Sequence, residues 1–120
     1  MSEPSNVPSK EPKGEPLRPG DIDGVIHERV RLSIVSALAV TAQLSFGELK
    51  SMLGLTDGNL SVHARTLEEA GYIIVEKSFQ GRRPHTAMRL TPKGRKAFAR
   101  YLETLRQIVE QGHRGGQDYS

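Results

Sequence analysis

The sequence predicts an α+β fold that is mainly helical and carries one β-hairpin. Apolar residues recur every three or four positions over most of the chain, which indicates helices with one buried face. One stretch is β-branched and aromatic, and a glycine- and proline-containing turn follows it. The chain has 120 residues, enough for a single domain with one modest core.

Both ends of the chain differ in composition from the middle. Residues 1–20 contain five prolines among serine, glutamate and lysine, with too few apolar side chains to offset the entropy cost of ordering. Residues 112–120 contain three glycines. We therefore expect a disordered, proline-rich tail over 1–20, a folded domain over 21–111 and a flexible tail over 112–120.

Four helices are expected in the folded domain. Their limits, in chain order, are Ile22 or Asp23 to about Val40, Phe46 to Leu53, a helix capped by Thr56 and ended by Gly71, and Pro92 to about Gln111. Asp21 or Asp23 is the expected N-cap of the first helix, and Gly54 ends the second as a left-handed C-cap. A tight turn thus joins the second and third helices.

The segment between the third and last helices is expected to form a β-hairpin, here called the wing. Its first strand begins at Tyr72 and continues through Phe79, a turn covers residues 80–84, and His85 to Thr91 form the returning strand. Helix, short helix, tight turn, helix, hairpin and helix is the order of a winged helix-turn-helix, in which the third helix enters the major groove of DNA.

Particular residues strengthen this interpretation. The stretches that carry a family resemblance are Leu55–His63, Leu67–Ile73, Gly81–Pro84 and Leu90–Gly94. They resemble the recognition helix, the wing and the start of the last helix in MarR-like and ArsR-like transcriptional regulators, and the resemblance covers about residues 22 to 111. It implies a dimeric DNA-binding regulator, while operators and effectors differ among proteins that share a fold.

The third helix, expected as recognition helix 57–70 in the major groove, has a polar outer face. Burial of Leu60, Ala64 and Leu67 turns amide, hydroxyl, guanidinium and small apolar groups outward, and these are the groups that read base edges and bind phosphates. The residues expected to contact DNA here are Thr56, Gly58, Asn59, Ser61, Val62, His63, Arg65 and Thr66. For His63, which lies at the edge of that face, packing inside the domain is an equally consistent interpretation.

The wing is expected to be positively charged although the net charge is only +3. Eight lysines and arginines occur between Lys77 and Arg100 without one aspartate or glutamate. Residues 80–86 are therefore expected on the adjacent minor groove or the phosphate backbone. The wing residues expected to contact DNA are Lys77, Gln80, Gly81, Arg82, Arg83, Pro84 and His85. The sequence is equally consistent with two roles for Lys93, Arg95 and Lys96, which are contact with the DNA backbone and solubility of the last helix alone.

The first and last helices carry more apolar residues than a domain of this size is expected to bury, which predicts a homodimer. The expected interface residues are Ile26, Val30, Phe98, Tyr101, Leu102, Leu105, Ile108 and Val109. A twofold dimer predicts a pseudo-palindromic site on double-stranded DNA. Whether a small-molecule effector binds at this interface is left open by the sequence. The small size of the dimer favours repression over activation, because little surface is left for contacting polymerase.

Other classes of protein lack support in the sequence. There is no cysteine, no glycine-rich phosphate loop, no H-E-x-x-H and no G-x-S-x-G motif, and the histidines have no metal-ligand spacing. No apolar run approaches the roughly 20 residues that span a membrane. We expect a cytoplasmic protein without enzymatic activity, metal or cofactor. The alternative is a winged-helix module for protein contacts, against which the basic run argues.

Overall fold

The structure, a computed structural model, describes residues 17–118. Its elements in chain order are α1 (Arg29–Ala39), β1 (Leu44–Ser45), α2 (Phe46–Leu53), α3 (Asp57–Glu69), β2 (Ile73–Gln80), β3 (Arg83–Leu90) and α4 (Pro92–Asp118), after a short 3₁₀ turn at Pro19–Asp21. The predicted winged helix-turn-helix of the α+β class is confirmed. Most of the tail predicted over 1–20 lies outside the described residues.

The first helix begins later than predicted, at Arg29 instead of Ile22 or Asp23. Its N-cap is Glu28, whose carboxylate accepts a hydrogen bond from the amide of Arg31 at 2.8 Å. Asp23 instead closes a separate turn, because its carboxylate accepts from the amides of Val25 and Ile26 at 2.9 and 3.2 Å. A side chain that bonds nearby amides in this way competes with helix formation, which explains the shift.

The predicted caps Gly54 and Thr56 are confirmed in the next two helices, and Ser45 adds a cap that was not predicted. Ser45 and Glu48 form a reciprocal capping box at the start of α2, and Gly54 ends this helix with a φ of +64° in the left-handed region. Thr56 caps α3, since its hydroxyl accepts from the amide of Asn59 at 3.1 Å. The turn between α2 and α3 therefore comes directly from local sequence signals.

The two wing strands belong to a three-stranded antiparallel sheet in the order β1, β3, β2, in which β3 is the central strand. β2 and β3 pair over their whole length, and Gln80 lies opposite Arg83 across a two-residue turn. Gly81 takes the first turn position with a φ of +67°, which is the position where a type II′ turn needs glycine. The predicted turn over 80–84 is thus shorter, and Arg83 and Pro84 belong to β3. The two-residue strand β1, which pairs with β3, was not predicted.

The two strands are fixed to α4 at their inner end, which we call the base of the wing and define as Gly71, Tyr72, Thr91 and Gly94. The Thr91 hydroxyl donates to the Gly71 carbonyl at 2.6 Å and accepts from the Gly94 amide at 2.9 Å. A Cβ on Gly94 would lie 2.1 Å from the Tyr72 carbonyl oxygen. Only glycine allows this close approach, so α4 starts directly against the backbone that follows α3.

The Tyr72 side chain adds a further link at the base of the wing. Its hydroxyl donates to the Asp23 carboxylate at 2.5 Å. Burial raises the pKa of Tyr72 to about 12, with the Asp23 carboxylate contributing to the same shift. The chain before α1 is thereby joined to the residue that follows α3.

Side chains from α1, α2, α3 and the sheet form one hydrophobic core within the compact unit Asp23–Tyr101. Its fully buried members include Ile34, Leu38, Leu49, Leu60, Leu67, Ile73 and Met88. All four α1 and α3 residues in this group were expected from helical spacing alone. The core holds α3 by its inner face and leaves its outer face uncovered.

The last helix continues to Asp118, although we expected it to end near Gln111 and residues 112–120 to form a flexible tail. Glycines at 112, 115 and 116 each cost a helix roughly 1 kcal/mol, but they do not prevent it. No proline follows Pro92 to end it. Arg106 also forms ion pairs with Glu103 and Glu110 at helical spacing. Residues 119 and 120 lie outside the described part.

Candidate nucleic-acid interface

The outer face of α3 carries most of the residues expected to meet a major groove. Leu60, Ala64 and Leu67 are buried on the other side of the helix. The predicted contact residues that the structure leaves exposed are Thr56, Gly58, Asn59, Ser61, Val62 and Arg65. Val62 has 62% of its surface exposed. An exposed apolar side chain beside amide, hydroxyl and guanidinium groups matches the contact types that distinguish base pairs.

An ion pair neutralises the carboxylate in the first turn of α3. Lys50 at the end of α2 lies with its Nζ 2.8 Å from Oδ1 of Asp57, in the first turn of α3. Both side chains are largely exposed, so the pair adds little stability. It does neutralise a carboxylate that would repel a phosphate near the helix N-terminus, where the free amides favour anions.

His63 is turned away from the outer face, which corrects its assignment as a DNA contact. Its Nδ1 accepts a hydrogen bond from Arg31 Nη1 at 3.1 Å and lies 3.6 Å from the Glu28 carboxylate. The reason is helical spacing, because position 63 follows Leu60 by three residues and shares its side of the helix. The Arg31 amide that bonds Glu28, together with the nearby His63, lowers the pKa of this carboxyl group.

Thr66 is also less available than expected. Its hydroxyl donates to the Val62 carbonyl of its own helix at 3.3 Å, and its side chain is half-buried. Such a back-bonded threonine contributes little to a groove contact in this rotamer. The exposed face of α3 therefore lies mainly in its first nine residues, from Asp57 to Arg65.

Side chains alternate along the two strands, so the wing has two faces. The inner face carries Val75 with Met88, Lys77 with Thr86 and Phe79 with Pro84, and the outer face carries Glu76 with Ala87, Ser78 with His85 and Gln80 with Arg83. The predicted contact residues are therefore divided between faces. Lys77 and Pro84 share the inner face, whereas Gln80, Arg83 and the half-buried His85 share the outer face.

A groove lies between α3 and the inner face of the wing. The residues that line it include Ser61 and Arg65 from α3 and Lys77 and Thr86 from the wing, together with Phe46, Ala64, Glu68, Val75 and Met88. Two cations and two hydroxyl groups thus converge from distant parts of the sequence. Groups of this kind bind phosphate oxygens and fix a protein on a duplex.

The outer end of the wing, residues 79–84, is its tip. Arg82 occupies the turn and Arg83 begins β3, and both are exposed. Within residues 17–113, no ion pair involves either guanidinium group. Arg89, another member of the basic run, is instead bound to Glu76 at 2.7 Å. Of the four wing cations, Arg82 and Arg83 therefore lie exposed at the tip, whereas Arg89 is held by a carboxylate of the neighbouring strand.

The predicted dimer surface is divided by the structure. Ile26, Val30 and Tyr101 are buried within their own chain, with Ile26 fully inaccessible. These three assignments are corrected, because side chains used by the domain core offer no surface to a second copy. Phe98 is half-buried and lies 6.5 Å from the Tyr101 ring, measured between ring centroids. Further along α4, Leu102, Ile108 and Val109 are exposed and Leu105 is half-buried.

Thr86, part of the expected contact segment 80–86, lines the groove together with Ser61. Sequence reasoning missed two other residues that bear on this surface. Arg31 holds His63 in place. Phe79 is 72% exposed at the tip of the wing, although it was treated only as part of a strand. A signal was present in the sequence, because an aromatic residue two positions before a basic turn lies beyond any expected core.

Among residues 17–113, no three acidic or histidine side chains are grouped as a metal ion would require. No helix in this range is both long and apolar enough to cross a membrane.

Comparisons with known proteins agree with the geometry. The family model of a winged helix DNA-binding domain matches residues 30–109. An uncharacterized protein of Methanocaldococcus jannaschii is 37% identical over 84 residues, which cover 70% of this chain and 91% of that protein. A transcriptional regulator homologue from Pyrococcus horikoshii is 30% identical with a TM-score of 0.69, covering 72% of this chain and 86% of that one. A MarR-family protein from Enterococcus faecalis shares the fold at 21% identity, with a TM-score of 0.58 over 99% of this chain and 94% of its own.

Proposed function

We propose a function that starts from the family, because this chain belongs to the winged helix DNA-binding family, as its motifs predicted. It acts as a cytoplasmic transcriptional regulator that binds duplex DNA as a homodimer. In this proposal α3 lies in the major groove, and the tip of the wing lies on the adjacent minor groove or backbone. The observation that carries the proposal is an exposed, polar α3 face that shares one groove with Lys77 and Thr86 of the wing, while two exposed arginines lie at the wing tip.

The division of labour within this surface follows from the side chains. Asn59 and Arg65 carry planar groups that can bond two atoms of one base edge, so they are assigned to sequence readout. Ser61, Lys77 and Thr86 line the groove between α3 and the wing and are assigned to phosphates. Arg82 and Arg83 reach furthest from the core and supply charge without being buried in protein.

The homodimer is assigned to the distal part of α4. Leu102, Leu105 and Val109 are spaced by three and four residues, so they share one side of the helix, and Ile108 lies beside them. Val109 is 68% exposed, and an apolar row of this kind needs a partner. A second copy of the same helix is the proposed partner, and the pair predicts a pseudo-palindromic operator. Repression is the proposed mode, because so small a dimer leaves little surface for contacting polymerase.

The dimer is tested by sedimentation equilibrium of the full chain. Leu102→Glu with Val109→Glu places charges in the apolar row, and we expect the dimer to dissociate to monomers. Glu110→Gln in the same helix is the matched control and should leave the mass unchanged. A wild-type protein that is monomeric at micromolar concentration would contradict this assignment.

DNA binding is tested by fluorescence anisotropy with a pool of duplex DNA at several salt concentrations. Contacts to about 6 to 10 phosphates should lower the affinity by roughly 1,000-fold or more between about 50 and 200 mM salt. Arg82→Ala with Arg83→Ala should reduce the salt slope by about 2. The control, Arg18→Ala with Arg29→Ala, removes the same charge from the N-terminal side of the domain and should keep the wild-type slope. No saturable binding at low salt would overturn the proposal.

A further inference from the structure

The tip of the wing carries two neighbouring apolar residues that the domain does not bury. Phe79 is 72% exposed, and Pro84 lies directly opposite it on the neighbouring strand and is also exposed. Burying an aromatic side chain normally stabilises a fold, and this ring loses most of that stabilisation by lying in solvent. The pair thus lies where a strand would usually carry polar residues.

The direction of this pair is set by the register of the wing. Phe79 and Pro84 belong to the inner face, the same face on which Lys77 and Thr86 line the groove beside α3. At about 3.3 Å per residue, Phe79 lies roughly 13 Å beyond Val75, where the core ends. A surface bound across the groove by α3 and the wing would therefore meet the Phe79 ring at its outer edge.

Charge decides which kind of partner fits the tip. Arg82 and Arg83 are exposed within four residues of Phe79, and no acidic residue occurs between Lys77 and Arg100. Two copies of this tip would repel each other, so self-association through Phe79 is disfavoured. A partner must combine anionic groups with apolar surface at close range. The minor groove of DNA does so, because phosphates flank sugars and base edges.

We propose that Phe79, backed by Pro84, is a wedge that enters the minor groove and pushes apart one base step, while Arg82 and Arg83 bind the phosphates on either side. This inference rests on the proposed DNA-binding function and adds a contact of a different chemistry. Pyrimidine–purine steps unstack most easily, so each half-site should prefer such a step where the wing lands. The wing then contributes sequence preference as well as charge.

The test uses the full-length protein with an operator chosen by selection and a 2-aminopurine placed at the step that the wing covers in a footprint. Wild-type protein should raise the 2-aminopurine fluorescence as the base unstacks. Phe79→Ala should abolish that rise and weaken binding by about 10-fold or more, as loss of an aromatic contact to a base does. Phe79→Trp should retain both signals. Val40→Ala, at a side chain that is 85% exposed at the end of α1, is the matched control.

The salt series separates this inference from the function on which it rests. Phe79→Ala removes no charge, so its salt slope should equal that of the wild type, whereas the Arg82 and Arg83 double variant has a shallower slope. If the wild type binds with the expected slope but Phe79→Ala keeps full affinity and fluorescence, the wedge is overturned and DNA binding stands. If the wild type does not bind DNA, both fail.

Discussion

The two ends of the wing differ in how closely they pack against the rest of the domain. At the base, the Thr91 hydroxyl donates to Gly71 at 2.6 Å and accepts from Gly94 at 2.9 Å, and Gly94 has no room for a Cβ beside Tyr72. At the tip, every residue from 79 to 84 is exposed and held only by the ladder of the two strands. The base therefore determines where the hairpin points, whereas the side chains of the tip are free to contact a partner. Substitutions should affect stability at one end and binding at the other.

Gly94→Ala should have the largest effect on stability. The added methyl group would lie 2.1 Å from the Tyr72 carbonyl oxygen, so α4 and the start of β2 must move apart. We expect a loss of about 3 kcal/mol or more in the free energy of unfolding, measured by urea titration. Gly47→Ala in α2, where an added Cβ meets nothing within 4 Å, is the control and should be neutral or slightly stabilising. Equal stability of the two variants would show that the base is not tightly packed.

Thr91→Val should have the next largest effect. The substitution keeps the shape of the side chain but removes the hydroxyl that bonds Gly71 and Gly94. We expect the free energy of unfolding to fall by about 1–2 kcal/mol. Thr41→Val is the control, because its hydroxyl makes only a long contact of 3.4 Å with the Gln43 carbonyl. A loss no greater than that of the control would contradict the role of Thr91 as a clamp.

The features of the base that the sequence revealed are those with local causes. Thr91 and Pro92 mark a helix start, and Gly71 marks a helix end, because these residues act on their own backbone. The close approach of Gly94 to Tyr72 joins residues far apart in sequence, so only the structure gives its reason. The same limit explains the late start of α1. Asp23 is a good N-cap by type, but its carboxylate is bound by a local turn and by Tyr72.

The interface shows the same division between local and distant causes. Helical spacing predicted the exposed face of α3 and placed His63 at its edge, but the bond from Arg31 that holds His63 comes from another helix and was not predictable. The count of apolar residues overestimated the dimer surface, because Ile26 and Tyr101 are needed by the domain itself. Strand alternation was predictable, yet the exposure of Phe79 depends on how far the wing extends past the core.

Alkaline pH should weaken the base through Tyr72. Its pKa is raised from 10 to about 12, so the folded state holds the phenolic proton more tightly than the unfolded state. The stabilisation is fully present below pH 10 and is lost as the pH rises toward 12. The stability difference between wild type and Tyr72→Phe should therefore shrink over this range in urea titrations. A difference that stays constant up to pH 12 would rule out this linkage.

Arg82→Ala with Arg83→Ala should have the smallest effect on stability. Both side chains are exposed and form no ion pair among residues 17–113, so the free energy of unfolding should change by no more than about 0.5 kcal/mol. Thermal unfolding of the double variant beside the wild type checks this. A loss similar to that of Thr91→Val would mean that the tip contributes to folding, and the contrast between the two ends would fail.

The central claim is that α3 reads sequence while the two arginines at the wing tip supply charge contacts that do not depend on sequence. The most direct measurement is the ratio of affinities for a selected operator and an unrelated duplex, determined for wild type, Asn59→Ala and the Arg82 and Arg83 double variant. Asn59→Ala should lower the ratio by roughly 5- to 150-fold and leave binding to the unrelated duplex nearly unchanged. The double variant should weaken both complexes and preserve most of the ratio. An unchanged ratio for Asn59→Ala, or no measurable binding of wild type to either duplex, would contradict the claim.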